Sequence, residues 1–134
     1  KALPNDLLKE IEILQKLGSH PNVVSYLGMF IAPDGKQYLV TEYMNRGSLD
    51  KLVVREKDTL SIIDLLAMAK QAAAGMHYLE NQGIVHRDLA LRNLLVGSKG
   101  DRFERFVVKV ADFGLSRATN HGYYKSDSKT IPIK

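Results

Sequence analysis

Residues 84–96 read IVHRDLALRNLLV, with apolar runs on both sides of a charged centre. One histidine, two arginines, one aspartate and one asparagine fall between His86 and Asn93. Burying such a group without partners is costly, so the stretch is expected to hold something. Nineteen positions after Asn93, Asp112 closes an apolar segment and is followed by Phe113 and Gly114. Carboxylate and amide oxygens are hard ligands suited to Mg²⁺, which takes only one or two protein carboxylates and fills its shell with phosphates and water. Asn93 and Asp112 fit that demand. Asp88 then remains to orient a hydroxyl and accept its proton, and Arg92 can neutralise phosphate charge as it moves. The chemistry this set can perform is phosphoryl transfer.

The plainer alternative is a surface ion-pair knot at HRD and an ordinary strand-to-turn step at DFG. One short motif would not exclude it. The spacing H-R-D-L-x-x-x-N followed by D-F-G does. At about 5% usage per residue type, five fixed positions coincide by chance about once in three million starts. Each motif also sits where its chemistry requires, on a loop and at a strand end.

The flanking elements must position these residues. Residues 4–17 carry Leu7, Ile11, Leu14 and Leu17 at helical spacing, with Gly18 and Pro21 as stop signals. Glu10 falls within that stripe. On the residues alone it reads more readily as an edge carboxylate reaching water than as one aimed inward at a cation. Residues 23–31 and 37–43 are β-rich and flank APDGK, a hairpin pattern. A loop and a short helix from about Ser48 follow. The longest helix starts with a capping-box pair, Ser61 and Asp64. Its expected buried stripe is Ile62, Leu65, Ala69, Ala72, Met76 and Leu79, and Gly83 ends it. A short strand leads to His86, another covers 94–96, GSKGDR makes a turn, and Phe106, Val108 and Val110 alternate as in a half-buried strand. From Ser116 onward periodicity disappears, which suggests a long mobile loop. The order divides into two parts joined near EYMNRGS.

Composition sets wide bounds. The chain has 134 residues, 45% of them hydrophobic and 25% charged, with a formal net charge of +4, as expected of a globular domain with one core. There are no cysteines, so disulfide frameworks and Cys-based metal sites are excluded. No apolar run reaches the roughly 18 residues of a membrane span, and no signal peptide is visible. The basic excess lacks the aromatic-interleaved stripe of a nucleic-acid binder. The chain starts at Lys1 and stops after TIPIK, so both ends read as cut.

HRDLALRN and DFGLSR closely resemble the catalytic motifs of protein kinases, and the resemblance extends over nearly the whole chain. It implies an α+β, two-lobed protein kinase-like fold, present in part: residues 1–41 from the N-lobe, 42–47 as the hinge, and 48–134 from the C-lobe, ending in the activation segment. It implies ATP with Mg²⁺, or Mn²⁺ in its place, as cofactors. Asp88 would be the catalytic base, with Arg92 beside it and Asn93 and Asp112 as metal ligands. Glu10 would pair with a lysine of the third N-lobe strand, which reverses the reading of Glu10 from the residues alone. Thr41 would be the gatekeeper, the Glu42 carbonyl and Met44 backbone would hold adenine, and Leu95 would line the same nucleotide site. Leu14, Tyr26, His86 and Phe113 would stack as the spine joining the lobes.

Ala90 stands where serine/threonine kinases typically carry lysine, and Arg92 follows. The pattern is similar to HRDLAARN of tyrosine kinases, with Leu91 in place of the second alanine. The implied partners are ATP and the tyrosines of protein substrates, with signalling as the role and no nucleic acid involved. GYYKSDSKTIPIK resembles a tyrosine-kinase activation loop, making Tyr123 and Tyr124 candidate phosphorylation sites with Arg87 and Arg117 as phosphate partners. The YYK pair is most like receptor-type kinases, although cytoplasmic families share it. It implies a cytoplasmic catalytic domain whose parent is a single-pass receptor, attached to the membrane only through segments outside this sequence and dimerising for trans-phosphorylation. GSKGDRFER is longer than expected for the family and reads as a surface insert. The Gly-rich phosphate loop and the third-strand lysine would lie before Lys1, so the chain alone is expected to be inactive. A pseudokinase or kinase-like regulatory module is the alternative.

Overall fold

The computed structural model describes residues 5–100, 104–111 and 117–118, with side chains over 11–100 and 104–111. Asp112, Phe113, Tyr123 and Tyr124 lie outside the described residues. Of Glu10 and Arg117 only the backbone is described.

Helix α1, Asn5–Leu17, buries Ile13, Leu14 and Leu17. It ends at Gly18, whose φ of 64° is a left-handed geometry that glycine adopts without strain. Strands β1, Tyr26–Ile31, and β2, Gln37–Thr41, form an antiparallel hairpin. Its turn is closed by the Lys36 amide on the Asp34 carboxylate at 3.0 Å and the Gly35 amide on the Ala32 carbonyl at 2.9 Å. Residues 23–25, expected within the first hairpin strand, do something else. Val23 forms a parallel bridge with Val110, because Val23 and Val24 are buried apolar residues and the second sheet offers them an open strand edge.

That sheet has the order β3–β5–β6. It comprises β3, Gly47–Ser48, β5, Leu94–Ser98, and β6, Phe106–Val110, all antiparallel. Phe106, Val108 and Val110 are buried as their alternation requires. Helix α2, Leu49–Arg55, buries Leu49 and Leu52 against it. Helix α3, Ile62–Asn81, starts with the expected reciprocal capping box: the Ser61 amide donates to the Asp64 carboxylate at 2.9 Å and the Asp64 amide to the Ser61 hydroxyl at 3.1 Å.

The buried face of α3 differs from the expected stripe. Met68, Gly75 and Leu79 are buried, whereas Ile62 and Leu65 are exposed, at 74% and 44%, and Ala69 is exposed as well. The helix is apolar on two faces, and the face that packs is the one bearing Gly75, where its backbone comes closest to β6. A Cβ there would lie 2.9 Å from the Val110 Cγ2 atom. Finally, β4, Ile84–Val85, pairs with β7, Arg117–Ala118. Two residues of the segment expected to be an aperiodic loop are therefore a strand, placing the Arg117 backbone opposite Val85 at the entrance to the charged stretch.

Candidate active site

The charged stretch turns back on itself between β4 and β5, and a short 3-10 turn at Leu91–Asn93 makes the reversal. That turn brings Arg92 and Asn93 onto Asp88. The Arg92 guanidinium donates to Asp88 Oδ1 at 2.6 Å, and Asn93 Nδ2 donates to Asp88 Oδ2 at 3.1 Å and to the Asp88 carbonyl at 2.7 Å. One carboxylate is thus oriented by two side chains a short turn away. The Asp88 side chain keeps 14% of its surface open, enough for a reactant to approach.

Asn93 is 4% exposed. Its amide hydrogens go to Asp88, so Oδ1 is the atom it can present to a cation. Its backbone also reaches β6: the Ala111 amide donates to the Asn93 carbonyl at 2.8 Å. Asn93 and the residue preceding Asp112 are therefore directly joined.

His86, 2% exposed, reinforces that junction. Its Nδ1 accepts from the Asp88 amide at 3.1 Å, and its Nε2 lies 2.7 Å from the Ala111 carbonyl oxygen. A carbonyl only accepts, so Nε2 carries the proton and Nδ1 is the acceptor. Between them, Arg87 has φ of 72°, the one non-glycine residue with positive φ among the described residues. A left-handed arginine is strained by about 1–3 kcal/mol and persists where surrounding contacts dictate it, as at active sites.

The residues expected at the nucleotide site lie on the hinge and on β5. Thr41, at the end of β2, is half-buried, and its hydroxyl lies 3.4 Å from the Glu42 carbonyl. Met44 is buried at 8%, and its carbonyl accepts from the Gly47 amide at 3.2 Å. Leu95 sits in β5 between Ser48 and Lys109 as register partners.

Glu42 and Lys109 form an ion pair that the sequence did not reveal. Lys109 Nζ lies 2.8 and 2.9 Å from the two Glu42 carboxylate oxygens, and the Ser25 amide donates to the same carboxylate at 2.9 Å. Burial works to raise the Glu42 pKa, but the Lys109 ammonium and the Ser25 amide outweigh it and hold the group below its ordinary value. The signal that could have found it is a lysine within the apolar run FVVKV. Gln71, a polar residue on the packed face of α3, also went unnoticed. Its side chain bonds Asn22 and the backbone of β6.

The donor chemistry fits Mg²⁺: an amide oxygen at Asn93, joined through one backbone hydrogen bond to the residue before a carboxylate. Among the described residues there is no group of three or more His, Cys, Asp or Glu able to hold a metal. The side chains of Glu10 and Arg117 lie outside those described, whereas that of Arg87 is half-buried.

Over residues 1–134 the chain matches the family described as protein tyrosine and serine/threonine kinase. It is 37% identical over 147 aligned positions to fibroblast growth factor receptor 1 of Pleurodeles waltl, an alignment covering 97% of this chain and 17% of that receptor. The chain thus spans less than a fifth of the length of that relative.

Proposed function

Because the chain belongs to the protein tyrosine and serine/threonine kinase family, we propose that the protein carrying it transfers the γ-phosphoryl group of ATP to tyrosine hydroxyls of protein substrates. The observation that carries this reading is the Asp88 carboxylate, oriented by Arg92 on one oxygen and by Asn93 on the other. Asp88 accepts the proton of the substrate hydroxyl as the oxygen attacks. Arg92 moves from Asp88 toward the transferring phosphate or the substrate ring. Asn93 and Asp112 hold Mg²⁺, which when bound offsets the charge on the phosphates. The Glu42 carbonyl and Met44 backbone take adenine, with Thr41 and Leu95 beside it. Glu10 pairs with the lysine of the third N-lobe strand.

Residues 1–41 then serve as part of the N-lobe, 42–47 as hinge and 48–134 as part of the C-lobe. Tyrosine specificity is supported by Ala90 and Arg92 and by the similarity to a receptor named for a growth factor. By the same similarity the parent protein is a membrane receptor with this domain on the cytoplasmic side, dimerising so that one copy phosphorylates Tyr123 or Tyr124 of the other. Arg87 and Arg117 would receive that phosphate. The 134 residues by themselves contain no G-x-G-x-x-G stretch and are expected to be inactive.

The test uses the complete kinase domain of the parent with ATP, Mg²⁺ and peptides differing only in tyrosine, serine or threonine at one position. Phosphate on the tyrosine peptide, abolished by Asp88→Asn, is expected. Nucleotide binding with no transfer to any peptide would make the protein a pseudokinase, and transfer confined to serine or threonine would overturn the assigned specificity.

A further inference from the structure

Strand β6 has two edges, and they are held in different ways. Toward β5 it makes an ordinary antiparallel ladder from Leu94↔Val110 to Ser98↔Phe106. Among the described residues no strand lies alongside its outer edge over most of its length, yet its buried residues cannot leave backbone groups unpaired without a cost. Phe106 is 6% exposed, and Val108 and Val110 are at 0%.

The outer edge is completed by amides. Gln71 Nε2 donates to the Phe106 carbonyl at 3.1 Å, and Gln71 Oε1 accepts from the Val108 amide at 2.8 Å. Asn22 Nδ2 donates to the Val108 carbonyl at 2.9 Å and to Gln71 Oε1 at 3.2 Å. The Asn22 backbone carbonyl then accepts from the Val110 amide at 2.8 Å, and the Val24 amide donates to the Val110 carbonyl at 3.0 Å. A glutamine side chain carries one donor and one acceptor group on the same carbon, as a peptide unit does. Here it occupies the position a peptide of a neighbouring strand would take.

We propose that Gln71 is a positioning residue for the catalytic centre: with Asn22 it takes the place of a strand on the outer edge of β6 and thereby fixes where β6 sets Ala111 against Asn93 and His86. The inference rests on the kinase reading above, in which Asp112 is a metal ligand. Beyond Val110 the chain is held by the Asn93 carbonyl on the Ala111 amide and by His86 on the Ala111 carbonyl. These bonds hold Ala111 on Asn93 and His86 only while the strand behind them keeps its height and twist. A strand with one free edge can shift along that edge, and a displacement at Phe106 and Val108 is carried to Ala111 because the backbone between them is extended. Gly75, one turn along α3 from Gln71, serves the same junction. A Cβ there would come within 2.4 Å of the Asn22 carbonyl oxygen, so the glycine lets the helix approach closely enough for Gln71 to reach.

The test compares the complete kinase domain with its Gln71→Met and Gln71→Glu variants. Methionine keeps the length and removes all three bonds. Glutamate keeps the acceptor for Val108 and Asn22 but sets an oxygen against the Phe106 carbonyl. Hydrogen exchange at the Val108 amide, thermal stability, kcat, peptide KM and the Mg²⁺ concentration giving half-maximal rate are measured together. For Gln71→Met, faster exchange at Val108 and an about tenfold rise in the Mg²⁺ requirement are expected, as for residues that orient metal ligands indirectly. Peptide KM should stay within about twofold, and Gln71→Glu should fall between. If stability drops while the Mg²⁺ requirement stays put, or if Val108 exchange is unchanged, Gln71 is a packing residue and the proposal fails. If Gln71→Met does not fold, Gln71→Glu decides by the same two readings. Absence of phosphoryl transfer by the unaltered domain sinks the kinase reading and the Gln71 role with it, and is seen before any variant is compared.

Discussion

The imidazole of His86 joins the two halves of the candidate active site: Nε2 lies 2.7 Å from the Ala111 carbonyl oxygen, while Nδ1 accepts from the Asp88 amide at 3.1 Å. One buried ring thus ties the residue bearing the proposed base to the residue preceding a proposed metal ligand. His86→Phe fills similar space but leaves the Asp88 amide and the Ala111 carbonyl without that partner. Each unsatisfied buried group costs about 1–3 kcal/mol. The variant is therefore expected to lose about 2–4 kcal/mol in chemical denaturation, with kcat falling more than nucleotide affinity. A variant as stable and active as the parent would show that the ring is mere filling.

Asp88 is expected to separate chemistry from stability. Asp88→Asn retains one oxygen, for either Arg92 or Asn93, but not a proton acceptor of carboxylate strength. The rate should fall by about 10²–10⁴-fold, the usual range for a general base. Nucleotide binding should change little, since Asp88 is not among the residues assigned to it. Single-turnover measurement with a tyrosine peptide, beside calorimetric titration with nucleotide, checks both halves of the statement.

The Glu42–Lys109 pair gives stability a pH dependence of definite sign. Glu42 has its folded-state pKa below the ordinary value. The unfolded chain therefore binds the proton more readily, and the stabilisation present above about pH 4.3 is lost as pH falls through the folded-state value. Lys109→Met removes the ammonium and leaves a partly buried carboxylate with the Ser25 amide as its remaining donor among these bonds. The loss at neutral pH should be about 2 kcal/mol. The fall in stability on acidification should be shallower than in the parent, because the lysine no longer depresses the Glu42 pKa. Adding Glu42→Gln to Lys109→Met should cost less than the sum of the two single changes. Urea denaturation from neutral to acid pH reads all three.

The arrangement around Asp88 was legible in the sequence because it lies in one contiguous motif whose geometry is local. HRDLALRN needs only one short turn to place Arg92 and Asn93 on Asp88, and Ser61 with Asp64 caps α3 from four adjacent positions. What failed depends on partners distant in the chain. Helix α3 has apolar residues on two faces, and periodicity alone could not tell which would meet β6. Val23 looked like a hairpin residue because it is β-branched, but it pairs with Val110. Gln71 and Lys109 acquire their meaning from Val108 and Glu42, at separations of 37 and 67 residues. Family resemblance supplied the two-lobed arrangement, which the spacing of the residues suggested only as a division near the hinge.

Two glycines at close approaches should respond very differently to alanine. At Gly75 the added Cβ would meet backbone, with the Asn22 carbonyl oxygen at 2.4 Å, as well as the Val110 side chain at 2.9 Å. Asn22 is bonded to β6 through both its carbonyl and its side chain, so it cannot withdraw without loosening the strand. At Gly97 the nearest atoms are ends of side chains, Val107 Cγ1 at 3.0 Å and Met44 Cε at 3.3 Å. The flexible methionine can give way. In the helix interior alanine itself is favoured over glycine by about 1 kcal/mol, so propensity alone would make Gly75→Ala the stabilising change. The contact geometry reverses that order. Gly75→Ala should lose about 1–3 kcal/mol net, as overpacked sites do, while Gly97→Ala should lose less than about 1 kcal/mol. Thermal unfolding of the two variants side by side checks the order, and a Gly75→Ala protein more stable than the parent would mean that α3 does not rest on Asn22 as closely as described.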